Sequence, residues 1–76
     1  MQLRDEYIET SNGVLAIVVD MTTSRGHARV FDAQGEQVDM VGQDNRGYTV
    51  IILAEDGYQY ACFGQCHIAT VEPEAT

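Results

Sequence analysis

Lysine is missing from this chain, and so is tryptophan; proline occurs once and cysteine twice. Each shortage removes a class of chemistry. Without lysine there can be no phosphate-loop lysine and no Schiff base. The only bases are Arg4, Arg25, Arg29 and Arg46, against 12 acids, for a formal net charge of −8. Such a chain has no basic patch with which to displace phosphate counterions, so direct nucleic-acid binding is not expected. Two cysteines fall short of a secreted disulfide framework, which favours a reducing compartment. The longest apolar run, Val14 to Val19, is six residues, far below the roughly 20 that a membrane helix needs. The opening "MQLRDEYIE" holds three acids and an arginine and lacks the apolar stretch of a signal peptide. Neither a Gly-x-Ser-x-Gly elbow nor a Gly-x-Gly-x-x-Gly loop occurs. The expectation is a soluble cytoplasmic protein that is not an enzyme and takes no cofactor.

Glycine is what the chain does have, and it sets a rhythm. Five tetrapeptides end in it: TSNG (10–13), TSRG (23–26), DAQG (32–35), DNRG (44–47) and AEDG (54–57). A type I turn favours a small polar acceptor at its first position and glycine at its fourth, where a left-handed backbone opens a G1 bulge. Thr or Asp opens four of the five, and their side chains can accept from the turn's own backbone. Turns recurring every 9 to 13 residues predict a small all-β fold.

The intervening segments agree. VLAIVV (14–19) and TVIILA (49–54) are continuous, β-branched and apolar, as in central strands covered on both faces. HARVF and EQVDMV alternate, which points Ala28, Val30, Val38 and Met40 inward and Arg29, Gln37 and Asp39 to water. YQYACF (58–63) and HIATVE (67–72) complete the set. Short connections favour antiparallel neighbours, so the reading is an antiparallel meander of six to seven strands, closed as a curled sheet, barrel or small sandwich. In residues 1–9, YIET suits a strand pairing with 14–19, with a short helix through Leu3, Tyr7 and Ile8 as the alternative. Residues 1–72 then form one domain and 73–76 a frayed tail, because Pro73 cannot donate to a ladder. Two strands buried on both faces are many for 76 residues, so homodimerisation is a live expectation.

The stretch ACFGQCHIAT (61–70) is the one that looks like chemistry. If Gly64 only kinks a single strand, Cys62 and Cys66 lie roughly 13 Å apart. If FGQ is a three-residue hairpin loop, they become a closing cross-strand pair, near disulfide range. If FGQC is the loop, Cys62 faces His67 as an activated thiol would. Zinc wants four ligands, usually in two close pairs; Cys62, Cys66 and His67, with His27 far off in the chain, are weak candidates. A plain corner with ordinary buried thiols is the expectation, ahead of a disulfide, a metal site or a nucleophile. His27 and His67 each open a strand.

The acids remain. Asp32, Glu36 and Asp39 cluster about Gly35, Asp44 sits in a second turn, Glu55 and Asp56 in a third, and Asp5, Glu6 and Glu9 near the start. Alternate residues on a strand face stand ~6.6 Å apart, close to phosphate spacing on a nucleic-acid strand. Such an array suits the basic surface of a nucleic-acid-processing partner, met fast and with strong salt dependence. Tyr48 and Tyr58, with Tyr60, are candidate anchors, and Arg46, like Arg25, stands by a turn glycine where it can pin a partner's carboxylate. A tiny, acidic, all-β chain without catalytic motifs resembles, in bulk properties, phage-encoded inhibitors of host defence, including anti-restriction and anti-CRISPR proteins. That resemblance implies a nucleic-acid mimic that blocks a partner protein. The competing expectation is an assembly module that homodimerises or completes a larger complex through an apolar sheet face.

Overall fold

The computed structural model describes residues 6–23 and 25–74. Among them seven antiparallel strands form two sheets: β1 (Ile8–Glu9), β2 (Ala16–Asp20), β3 (His27–Phe31), β4 (Gln37–Val41), β5 (Thr49–Leu53), β6 (Gln59–Phe63) and β7 (His67–Val71), with a 3-10 turn at Gln43–Asn45. One sheet has the order β1-β6-β3-β4 and the other β5-β2-β7. Alternation explains the core between them. Ile17 and Val19 of β2 and Ala28 and Val30 of β3 are completely buried, joined by Val41, Ile52 and Met21. Each fully buried Val or Ile contributes about 1.5–3 kcal/mol. The architecture is the expected all-β one, a two-layer sandwich.

Its connections are not those of a meander. Only β3 and β4 are neighbours both in sequence and within a sheet. The other turns carry the chain across the core to the opposite sheet, and local turn chemistry does not distinguish the two outcomes. The start behaves likewise. Ile8 and Glu9 form a strand that pairs with Tyr60 and Gln59 of β6, not with 14–19; Leu3, Arg4 and Asp5 lie outside the described residues.

Two further expectations are corrected. β2 is central, but the equally apolar β5 is an edge strand, with Ile51 65% and Leu53 80% exposed. In β4 the inward residue is Val41, while Val38 and Met40 are exposed. A register shift between Val30 and Phe31 sets Met40 opposite the outward Arg29.

The turns form largely where the glycines stand. Gly13, Gly35, Gly47 and Gly57 have φ between 72° and 93°. In DAQG, Asp32 Oδ1 accepts from the Gln34 and Glu36 N–H groups, both at 2.9 Å, and Asp32 N–H donates to the Glu36 carbonyl, so the β3–β4 hairpin carries its own cap. Thr10 acts at longer range: its hydroxyl donates to the Glu55 carbonyl (2.8 Å) and accepts from Tyr58 N–H (2.9 Å). Asp56 reciprocates by accepting from Gly13 and Val14 N–H groups at 2.9 and 3.0 Å. Two turns over 40 residues apart thus lock each other. Gly26 differs: it is required for space, since a Cβ there would fall on the Phe63 carbonyl.

Candidate protein interface: a charged pole, an aromatic face and an open edge

The cysteine stretch resolves first. β6 and β7 lie in different sheets, so Gly64–Cys66 is a crossing and none of the three single-sheet geometries applies. Cys62 and Cys66 form a disulfide across it, with Cα atoms 5.8 Å apart. In place of ordinary thiols there is a covalent tie, and while it stands neither sulfur is a nucleophile or a thiolate ligand. The Gln65 carbonyl accepts from Arg25 and Gly26 N–H groups at 2.8 and 2.7 Å, seating the crossing on the β2–β3 connection. His67 opens β7 opposite Asp20, whereas His27 opens β3 and stacks on Phe63 at 5.1 Å.

Strand polarity sorts the charges. The register places the ends of β1, β3, β5 and β7 carrying Glu9, Phe31, Leu53 and Val71 at one pole of the sandwich. Glu9, Asp32, Glu36, Glu55, Asp56 and Glu72 gather there, and no described arginine does. At the opposite pole stand Arg25, Arg46 and His67 with Asp20 and Asp44. Arg46 Nη2 donates to the Arg25 carbonyl at 3.0 Å, and both arginines line a shallow hollow of about 190 Å3 with Thr22 and Thr23. Asp20 Oδ1 accepts from the Thr22 hydroxyl (2.6 Å) and the Thr22 N–H (2.9 Å). These two bonds, the hydroxyl's first, hold its carboxyl below the usual range against the opposing effect of desolvation, and His67 adds the smallest lowering.

The expected binding residues divide accordingly. Asp32, Glu36, Glu55 and Asp56 share the acidic pole. Asp39 lies midway along β4 and Asp44 at the far pole, so the acids are not one array on one strand face. Asp32 and Asp56 also spend carboxylate oxygens on backbone N–H groups. Tyr58 and Tyr60 pack against the core, whereas Tyr48 is 67% exposed at the start of β5 in the other sheet; the tyrosines do not form one anchor.

The outer faces of the two sheets differ. On the four-stranded sheet, Tyr7 closes edge-on over Phe31 and Phe63, at centroid distances of 5.5 and 6.0 Å. Beside them Glu6, His27 and Arg29 line an open hollow of about 370 Å3. Gln59, 2% exposed, is paired in register with Phe31 and has an unpartnered buried amide oxygen. On the three-stranded sheet the outward rows are Leu53–Ala16–Val71 and Ile51–Val18–Ala69. Leu53, Ile51, Ala69 and Val71 of these rows are exposed. Sequence reasoning expected an apolar sheet face as an alternative but did not place it on these residues. The signal was present in TVIIL, but its composition equally fits a strand covered on both faces.

Among the described residues four strands end the two sheets, and two of them carry a device against further pairing within the strand itself. β1 is two residues long, and β4 contains Asp39 and a register shift; β7 has neither along His67–Val71, and Pro73 follows two residues after it. β5 has no charge, no proline and no register shift along Thr49–Leu53. No protein-family model matches this chain, and no curated protein or solved structure shows significant similarity to it. Among the described residues, no helix is long and apolar enough to cross a membrane.

Proposed function

We propose that this chain is a non-enzymatic protein-binding module of the assembly type, whose working surface is the β5 edge with the outer face of its sheet. One observation carries the reading: Ile51 and Leu53 are 65% and 80% exposed, the two barest large hydrophobics of any strand described, on a terminal strand that holds no charge, proline or irregularity. A monomer that left such an edge unfilled would face aggregation. An incoming strand gains backbone hydrogen bonds there and apolar contacts from Ile51, Val18 and Leu53. The disulfide supports the non-enzymatic part, since it occupies both sulfurs.

A second reading has its own support. The acidic pole, six carboxylates with no described arginine among them, suits docking on the basic surface of a nucleic-acid-handling partner, as an inhibitor of the mimic type would. Charged corners of this kind also keep a small β-protein soluble.

One experiment separates them. The immobilised protein is exposed to lysate of its native host at low and high salt, wild type against Leu53→Lys. Retained protein that is lost on Leu53→Lys and indifferent to salt supports the sheet-edge reading. Retention unaffected by Leu53→Lys but abolished by salt favours the acidic pole. No retention, together with a monomeric mass in solution, overturns both.

A further inference from the structure

Resting on the sheet-edge reading, we infer that the strand completing β5 is β5 of a second copy, paired antiparallel about Ile51 to give one six-stranded sheet. The hydrogen-bond directions fix this register. Met21 N–H donates to the Tyr48 carbonyl at 2.9 Å, and Ala54 N–H to the Leu15 carbonyl at 3.0 Å. Val50 and Ile52, the even-numbered residues of β5, therefore spend their backbone groups on β2. By the alternation of an antiparallel ladder, Thr49, Ile51 and Leu53 turn theirs to the open edge. A full-overlap pairing that keeps both outer faces on one side sets Ile51 against Ile51 of the second copy and Thr49 against its Leu53. All the free groups then meet, in about six hydrogen bonds.

Side chains and charges accept the same arrangement. Ile51 and Leu53 of both copies join one apolar strip that continues into Val18 and Ala69. Arg46 precedes Ile51 by as many residues as Asp56 follows it. Self-pairing about Ile51 therefore lays the connection bearing Arg46, just before β5 in each copy, beside the Glu55–Asp56 turn just after β5 in the other, with Glu55 the acid not already bonded to backbone N–H groups of its own chain. The acidic pole of one copy lies beside the arginine-bearing pole of its mate, so a chain of net charge −8 associates without setting like pole on like pole. The interface is isologous and closes on itself as a two-fold dimer, using up the unprotected edge.

Sedimentation equilibrium tests this on the wild type and five variants, with circular dichroism to confirm folding. Ile51→Pro removes an N–H that faces the open edge and no bond to β2, a position where an edge strand tolerates proline. It should leave a folded monomer, and Ile51→Lys, at an exposed side chain, gives the same readout should the proline variant not fold. Arg46→Glu and Glu55→Arg should each weaken the dimer roughly fivefold, since the pair occurs twice by symmetry. Their combination should restore it. A dimer that survives both Ile51 substitutions overturns the proposal, as does a wild type that stays monomeric up to its solubility limit. In the latter case, host protein lost on Leu53→Lys would keep the sheet-edge reading and replace the second copy by a foreign strand. Binding indifferent to Leu53→Lys would remove that reading too.

Discussion

The two sheets share one core and treat water in opposite ways. The four-stranded sheet covers its outer face with an aromatic group, Tyr7 on Phe31 and Phe63, and ends in a two-residue strand and a strand bearing Asp39. The three-stranded sheet leaves Ile51, Leu53 and Val71 in solvent and ends in an unguarded strand. Both have the same antiparallel ladders, so secondary structure does not account for the difference. One outer face is finished within the chain; the other has what a sheet needs to continue into another molecule.

The strongest test of that contrast compares one truncation on each outer face. Tyr7 is 5% exposed, and Tyr7→Ala should lower unfolding free energy by about 3 kcal/mol, from lost burial and ring contacts. Leu53 is 80% exposed, and Leu53→Ala should change the stability of the monomer by no more than about 0.5 kcal/mol while reducing association. Urea denaturation at low concentration measures both. Equal losses would mean that the bare face is an ordinary packed surface, and the contrast would fall.

Next come the ties between the sheets, one at each pole. Reducing the Cys62–Cys66 bond frees a short loop at the crossing from β6 to β7, which in the chain-entropy picture removes about 2 kcal/mol. Thermal melts with and without reductant would show it. An unchanged midpoint would mean that the backbone bonds from Arg25 and Gly26 to the Gln65 carbonyl hold the crossing without the sulfurs. At the acidic pole, Asp56→Ala strips the acceptor from Gly13 and Val14 N–H groups and should cost about 1 kcal/mol, as the loss of a capping side chain does. Asp56→Asn should recover part of that, because one oxygen remains to accept; a full loss in both variants would assign the effect to charge.

These ties show where reading the sequence succeeds and where it stops. DAQG disclosed a hairpin with its own cap because every group involved lies within five residues. Thr10 and Asp56 bond each other's turns across more than 40 residues, and no local pattern announces such a partnership. The strands were legible for the same local reason, and the sheet each joins was not, since a short turn serves a hairpin and a crossing equally well. That ambiguity hid the open edge. VLAIVV and TVIILA look alike, yet β2 is enclosed by two neighbours while β5 has one; exposure there belongs to topology. The cysteines carried a related ambiguity, because their spacing fits a closing pair only if the chain turns between them.

The smallest expected effect concerns Asp20, at the arginine-bearing pole of the bare sheet. Its carboxyl titrates below its ordinary value of 3.8, chiefly because the Thr22 hydroxyl and N–H donate to the ionised form, with His67 assisting. A depressed folded-state value contributes stability that is present above the unfolded value and is lost as pH falls through the folded one. The Asp20 contribution therefore disappears only in acid, below pH 3.8, and is small because the group is in solvent. Following the Asp20 carboxyl carbon by NMR through an acid titration would resolve the causes. Thr22→Val should move its midpoint upward towards the ordinary value, and His67→Gln should move it upward by less. The reverse order would mean that charge across the β2–β7 pair, not the local turn, governs this pole, and that the bare sheet carries an electrostatic bias reaching further than its hydrogen bonds do.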